Sequence, residues 1–190
     1  MLNLFRGKDH AAKRYPEALA ILLTLGKPAD DTDYQPWADR LKAHVPDLIR
    51  MVLDDDLNKR GEKDPTVWAS LHALEILGLL GPEAAAEPLL ECFAWDDEWI
   101  KEALPHVYAG IGPVAIPILK AYLEDRSHDE HDRARLGDSL VAIAQAFPAV
   151  RDEIIAYLTA FLDRPGADDS PAEERLTTFV IGNLGDLEAR

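Results

Sequence analysis

The feature that most constrains this chain is its self-similarity. Sliding the sequence by 31 residues superposes Gly81 on Gly112, Trp68 on Trp99, Ile76 on Val107, Leu77 on Tyr108 and Leu80 on Ile111. The shared phrase is an apolar helical run that ends in glycine and is followed by a second, shorter apolar run. Its clearest copies are Leu77-Gly78-Leu79-Leu80-Gly81-Pro82 and Tyr108-Ala109-Gly110-Ile111-Gly112-Pro113. Weaker copies are Ile143-Ala144-Gln145-Ala146-Phe147-Pro148 and Ile181-Gly182-Asn183-Leu184-Gly185-Asp186. A period of this length is that of one helix pair. A unit of that size cannot bury its apolar face alone, so it stacks on its neighbours.

Apolar residues recur at spacings of three and four, as in Val67, Leu71, Leu74 and Leu77, and few stretches alternate as a strand would. The pattern predicts first helices near 9–25, 65–80, 97–111, 131–146 and 171–184. Second helices are predicted near 37–53, 83–94, 113–124 and 149–163. Asp64-Pro65 and Ser170-Pro171 read as an N-cap followed by Pro at the first helical position. Asp96-Asp97-Glu98 and Asp129-Glu130 place negative charge at helix N-termini, where the backbone dipoles favour it. Pro105 interrupts the 97–111 run and predicts a kink. The last first helix is expected to end at Gly185, so the chain stops mid-repeat. The superposition predicts that segments 65–80 and 97–111 lie side by side and parallel, with Trp68 and Trp99 in equivalent surroundings. Leu77, Leu89, Leu90 and Ile118 are the predicted core.

Segment 68–124 resembles the HEAT-like repeats first named from phycobilisome lyases, on Ala73-Leu74-Glu75-Ile76-Leu77-Gly78-Leu79-Leu80-Gly81 and Tyr108-Ala109-Gly110-Ile111-Gly112-Pro113-Val114-Ala115-Ile116-Pro117-Ile118-Leu119. The resemblance covers 65–185, and 1–64 reads as a divergent N-terminal repeat. It departs from the family in lacking the Asp-x-x-Val-Arg opening of each repeat. It implies an all-α fold in a single domain over 1–190: a right-handed α-solenoid (α-α superhelix) of four to five antiparallel helix pairs. HEAT-like repeats serve scaffolds, lyases, hydroxylases and glycosylases, so the likeness bears on fold more than on activity.

Composition narrows the function. The 190 residues carry 20 Lys and Arg against 35 Asp and Glu, a formal charge of -15. That charge opposes a phosphate backbone, which needs a basic footprint, and opposes anionic membrane surfaces equally. The apolar run at 18–25 is too short to span a bilayer. The N-terminus lacks a signal-peptide core, so a cytoplasmic protein is expected. Cys92 is the one cysteine, which excludes an internal disulfide and a multi-cysteine zinc site; a buried, apolar role is expected for it.

No phosphate-binding glycine loop or nucleophile elbow occurs. None of the six histidines precedes Glu, so the His-Glu dipeptides of the HEAT-type di-iron hydroxylases are missing. His128-Asp129-Glu130-His131-Asp132 is the densest group of metal-ligating residue types, but a solvated loop capping the next helix explains it, and no metal is assigned. No catalytic residue and no cofactor is assigned either.

In a HEAT-type stack the second helices line the concave face. Aligned on their apolar pairs, the next positions read Arg50, Glu91, Lys120 and Ala156, a row of alternating charge, and Glu83, Glu87 and Glu91 fall on one face at α-helical spacing. Arg50, Glu83, Glu87, Glu91 and Lys120 are therefore the candidate protein-binding groove. The expected function is a non-enzymatic scaffold with a protein partner and no nucleic acid or membrane partner. The alternative implied by the resemblance is a bilin-lyase-like chromophore-handling protein or chaperone, for which His106 and Tyr108 would be the groove residues.

Overall fold

Helix-stop and helix-start signals are satisfied along the chain by local hydrogen bonds. In the computed structural model, which describes residues 14–163 and 171–188, the carboxylates of Asp64, Asp97 and Asp129 accept from the backbone N–H groups of Thr66, Ile100 and His131. Each fills an orphan donor of a helix's first turn. Gly81 and Gly112 terminate their helices at φ 56° and 83°, values that side chains with a Cβ rarely adopt. The expected caps at Ser170 and the helical start at 9–13 lie outside the described residues.

Among the described residues there are α-helices and 3-10 turns and no strand. The α-helices are α1 (Glu17–Ala20), α2 (Gln35–Leu41), α3 (Val45–Val52), α4 (Asp55–Asn58), α5 (Ala69–Leu80), α6 (Glu98–Ile111), α7 (Ile116–Glu124), α8 (Glu130–Ala146), α9 (Arg151–Leu162) and α10 (Pro171–Glu188). The first helices form a row: the turn Ile21–Thr24 meets Pro65–Trp68 and α5, then α5 packs on α6, α6 on α8, and α8 on α10. α3 packs against α5, and the 3-10 segment Pro88–Ala94, α7 and α9 lie against the row. One cluster of buried residues runs through it from Tyr15 to Leu187. No described helix is long and apolar enough to cross a membrane.

α5 and α6 are parallel neighbours, as the repeat register predicts. Trp68 and Trp99 meet edge to face at their N-terminal ends, with ring centroids 5.8 Å apart. Near their C-terminal ends the backbones approach so closely that a Cβ built on Gly110 would lie 1.8 Å from the Gly78 carbonyl oxygen. The repeated glycines thus have two roles: Gly81 and Gly112 end helices, whereas Gly78 and Gly110 let two helices touch.

Several expectations are corrected. Segment 83–94 is not an α-helix but two 3-10 stretches, Glu83–Ala85 and Pro88–Ala94. Pro88 has no N–H to continue an α-helical ladder, and Leu90 bonds back to the Glu87 carbonyl at i−3. Pro105 does not interrupt α6, which is continuous from Glu98 to Ile111; the ring removes one bond, and Ala103, Leu104, Val107 and Tyr108 on either side of it are buried. α10 continues through Gly182 and Gly185 to Glu188 rather than stopping at Gly185. The 54–64 loop contains the short helix α4, capped by Asp54. Leu77 and Leu89 are fully buried, but Leu90 and Ile118 are only partly covered at the edge of the core. Trp68 is 7% exposed and Trp99 is 45% exposed, so their surroundings are not equivalent.

Candidate functional site

The predicted groove residues are placed on the surface but do not pair with one another. Arg50, in the last turn of α3, is exposed; its guanidinium is 2.8 Å from Asp47, one turn back, and lies over the Tyr15 ring. Lys120 of α7 is half-buried and reaches Glu153 of α9 at 2.6 Å, with its ammonium 4.7 Å from the Tyr157 ring centroid. The Tyr157 hydroxyl also donates to the Lys120 carbonyl. Lys120 is thus a bolt between neighbouring second-row helices, and its partner is Glu153 rather than Glu91. Glu83, Glu87 and Glu91 are exposed. The chain around them is two 3-10 stretches joined by a turn at Ala86 and Glu87, so the continuous α-helical spacing that would stack them on one face is absent.

The acidic loop before α8 is fully engaged. The His128 ring stacks on Tyr122 with centroids 3.8 Å apart, and Asp132 faces Lys101 at 3.8 Å. Asp129, Glu130 and His131 bring one ligand-type atom each within 4.8 Å of one another. Their geometry is that of a helix start. The His131 N–H holds the Asp129 carboxyl below its ordinary range, and the Arg175 guanidinium does the same for Glu130. Burial pushes the Asp132 carboxyl up.

The two chromophore-groove residues are separated by the fold. Tyr108 is completely buried, stacks on Phe93 and donates its hydroxyl to the Ala86 carbonyl at 2.9 Å. His106 is exposed beside Glu75 and Gly78. Cys92 is fully buried, and burial pushes its thiol well up, so the residue behaves as an apolar core member.

The most distinctive surface lies elsewhere, at the N-terminal ends of α5 and α6. Trp99 projects from the first turn of α6 with its edge-to-face partner Trp68 beneath it, and the Lys27 ammonium sits 4.1 Å from the Trp99 ring centroid and 5.5 Å from that of Trp68. Trp99 forms a wall shared by two clefts. One, of about 290 Å³, is bordered by Glu62, Asp96, Asp97 and Glu98, with Arg60 as its only cation among the described residues. The other, of about 300 Å³, is bordered by Asp30, Glu75 and Glu102 and by no cation. Burial pushes the Glu75 carboxyl up, with the nearby His106 opposing.

A buried histidine positions the second cleft. His72 is 2% exposed; its Nε2 lies 2.8 Å from the Gly26 carbonyl oxygen and its Nδ1 2.7 Å from the Tyr34 hydroxyl. A carbonyl can only accept, so Nε2 carries the proton and Nδ1 accepts from Tyr34. The arrangement pins the 26–34 loop, which carries Lys27 and Asp30, onto α5. Burial holds the imidazole below its ordinary pKa and so keeps it neutral. The repeat register flags Trp68 and Trp99, but no sequence signal brings Lys27 or Tyr34 to them, because both arrive on a loop of irregular length. No protein-family model matches the chain, and no curated protein or solved structure matches it at a significant level.

Proposed function

We propose that the protein is a HEAT-like helical-repeat adaptor: a right-handed stack of four to five antiparallel helix pairs that holds a protein partner on its side-chain surface and carries out no reaction of its own. The observation that supports this reading is the order of packing. Each first helix rests on the next, α5 on α6, α6 on α8 and α8 on α10. Every added pair therefore lengthens a surface instead of closing a pocket, which is how repeat proteins build extended binding faces. The second-row face offers Arg50 and Glu91 to solvent, and Glu83 and Glu87 are exposed earlier on the same segment as Glu91. Exposed ion pairs such as Arg50–Asp47 contribute only about 0–1 kcal/mol, so a partner bearing matched charges can exchange them at small cost.

The test is affinity capture with the wild-type chain and the Arg50→Glu/Glu91→Lys double variant, both shown to be helical and cooperatively folded. A partner held by the wild type and lost by the variant is expected. Equal capture by both would move the interaction off the second-row face. A chain that retains no protein above a scrambled control would overturn the adaptor reading.

A further inference from the structure

We propose that the Trp68–Trp99 ridge and its two acidic clefts form a receptor for the Lys or Arg side chains of a basic segment of a partner protein, and that Lys27 is the internal occupant such a side chain displaces. The inference deepens the adaptor reading above and rests on it for the identity of the occupant as protein.

Three observations converge on a cation. Trp99 is 45% exposed although it sits on a helix whose other apolar residues are largely buried, so much of its indole remains open to solvent. Indole faces attract ammonium and guanidinium groups through their quadrupole. The structure shows that attraction in use: the Lys27 ammonium lies over Trp99 and within reach of Trp68. Its position marks where a foreign cation would sit. Lys27 is on the surface and has no ion pair among the described residues, so little besides the ring holds it there.

The clefts supply the charge. On one side Arg60 is already committed to Asp64 and Thr66, and Glu98 to Arg135, while Glu62 and Asp96 have no ion pair among the described residues. On the other side the carboxylates of Asp30, Glu75 and Glu102 border a cleft with no cation in it. Trp99 lines both, so a segment crossing the ridge can place one side chain on the indole and its neighbours among carboxylates on either side. An acidic or neutral segment would meet uncompensated repulsion or gain nothing.

The probe is a blocked pentapeptide of alternating Arg and Gly, with its Lys and Glu counterparts, titrated into the full chain by calorimetry and by the indole N–H resonances of 15N-labelled protein. Saturable binding of the Arg and Lys peptides, none of the Glu peptide, and a shift of the Trp99 resonance are expected. Lys27→Ala removes the competitor and should tighten binding about two- to fivefold, the range of an exposed cation–π contact. Trp99→Leu, at an exposed position, should keep the fold and weaken binding by at least that factor. The double variant Glu62→Gln/Asp96→Asn should weaken it more than Glu83→Gln/Glu87→Gln/Glu91→Gln, which removes more charge but from residues that line neither cleft.

Unchanged or weaker binding by Lys27→Ala, indifference to Trp99→Leu, or a larger loss in the triple variant would overturn the proposal and leave only general attraction to an acidic protein. Binding of tetramethylammonium without binding of either basic peptide would also overturn it, in favour of a small cation. Peptide binding that follows these expectations, with no protein captured, would keep the site and remove the adaptor reading. A captured partner lost with Arg50→Glu/Glu91→Lys but kept with Trp99→Leu would do the reverse.

Discussion

Replacing Gly110 with Ala tests the close approach of α5 and α6. A Cβ at Gly110 would stand 1.8 Å from the Gly78 carbonyl oxygen and 2.8 Å from its carbonyl carbon, both backbone atoms that cannot rotate away. An ordinary C···O contact is about 3.3 Å, so α5 and α6 must separate by roughly 1.5 Å or the helix must bend. Overpacking of this kind costs about 1–3 kcal/mol and sometimes more. With a rigid wall, the upper end applies. Helix propensity works in the opposite direction, because Ala is favoured over Gly within a helix by about 0.8–1.0 kcal/mol. The net expectation is a loss of about 2 kcal/mol, read as a fall of about 1 M in the urea midpoint with an m-value near 2 kcal/mol/M. Gly182→Ala is the internal control. Gly182 is also within a helix, α10, but its Cβ would have no neighbour within 4 Å. There the same substitution should stabilise by about 0.8–1.0 kcal/mol. Opposite signs for one chemical change isolate the interhelical contact. A Gly110→Ala variant as stable as the wild type would refute the close approach of α5 and α6.

Leu89 is fully buried and Leu90 only partly, so Leu89→Ala should cost ~2–5 kcal/mol and Leu90→Ala clearly less; denaturant titration of the pair checks the rotational phase of the 3-10 segment. Acid should weaken the fold through His72. Burial lowers its folded pKa below the ordinary 6.5, so below that pH the unfolded chain takes up a proton that the folded chain refuses. The unfolded state then binds more protons, and stability falls as pH drops from about 6.5 towards the folded value. Melting temperatures between pH 7.5 and 5.5 should decline for the wild type and flatten for His72→Gln; parallel profiles would show that His72 is not the group responsible. Gel shift with duplex or single-stranded DNA at physiological salt should show no binding in the micromolar range, given the net charge of -15. A saturable, steeply salt-sensitive shift would reveal a basic footprint.

The elements that were legible in the sequence are those set by interactions within a few residues. The helices at 65–80, 97–111 and 131–146 lie close to their expected bounds, because their apolar stripes, their aspartate caps and, for the first two, their terminal glycines are all local. The internal repeat went further, since equivalent units stack equivalently: it places α5 beside α6 in parallel. The candidate site was much less legible. The shared face of Glu83, Glu87 and Glu91 assumed α-helical spacing through 83–94. That segment is instead two 3-10 stretches, Glu83–Ala85 and Pro88–Ala94, which do not keep the α-helical spacing.

Other features belonged to the tertiary structure alone. Lys120 pairs with Glu153, 33 residues on, and only the placement of α9 brings the two together. Trp68 and Trp99 occupy the same register position, yet one is covered and the other open, because what lies over them differs. Lys27 reaches Trp99 because His72 accepts from Tyr34 and donates to Gly26, fixing a loop whose path no periodicity encodes. Periodicity, capping and repeat register are properties of the chain and its near neighbours, and the sequence by itself determined them. Exposure, the choice of ion-pair partner and the meeting of a loop with a distant ring depend on distances across the fold, and only packing decided those.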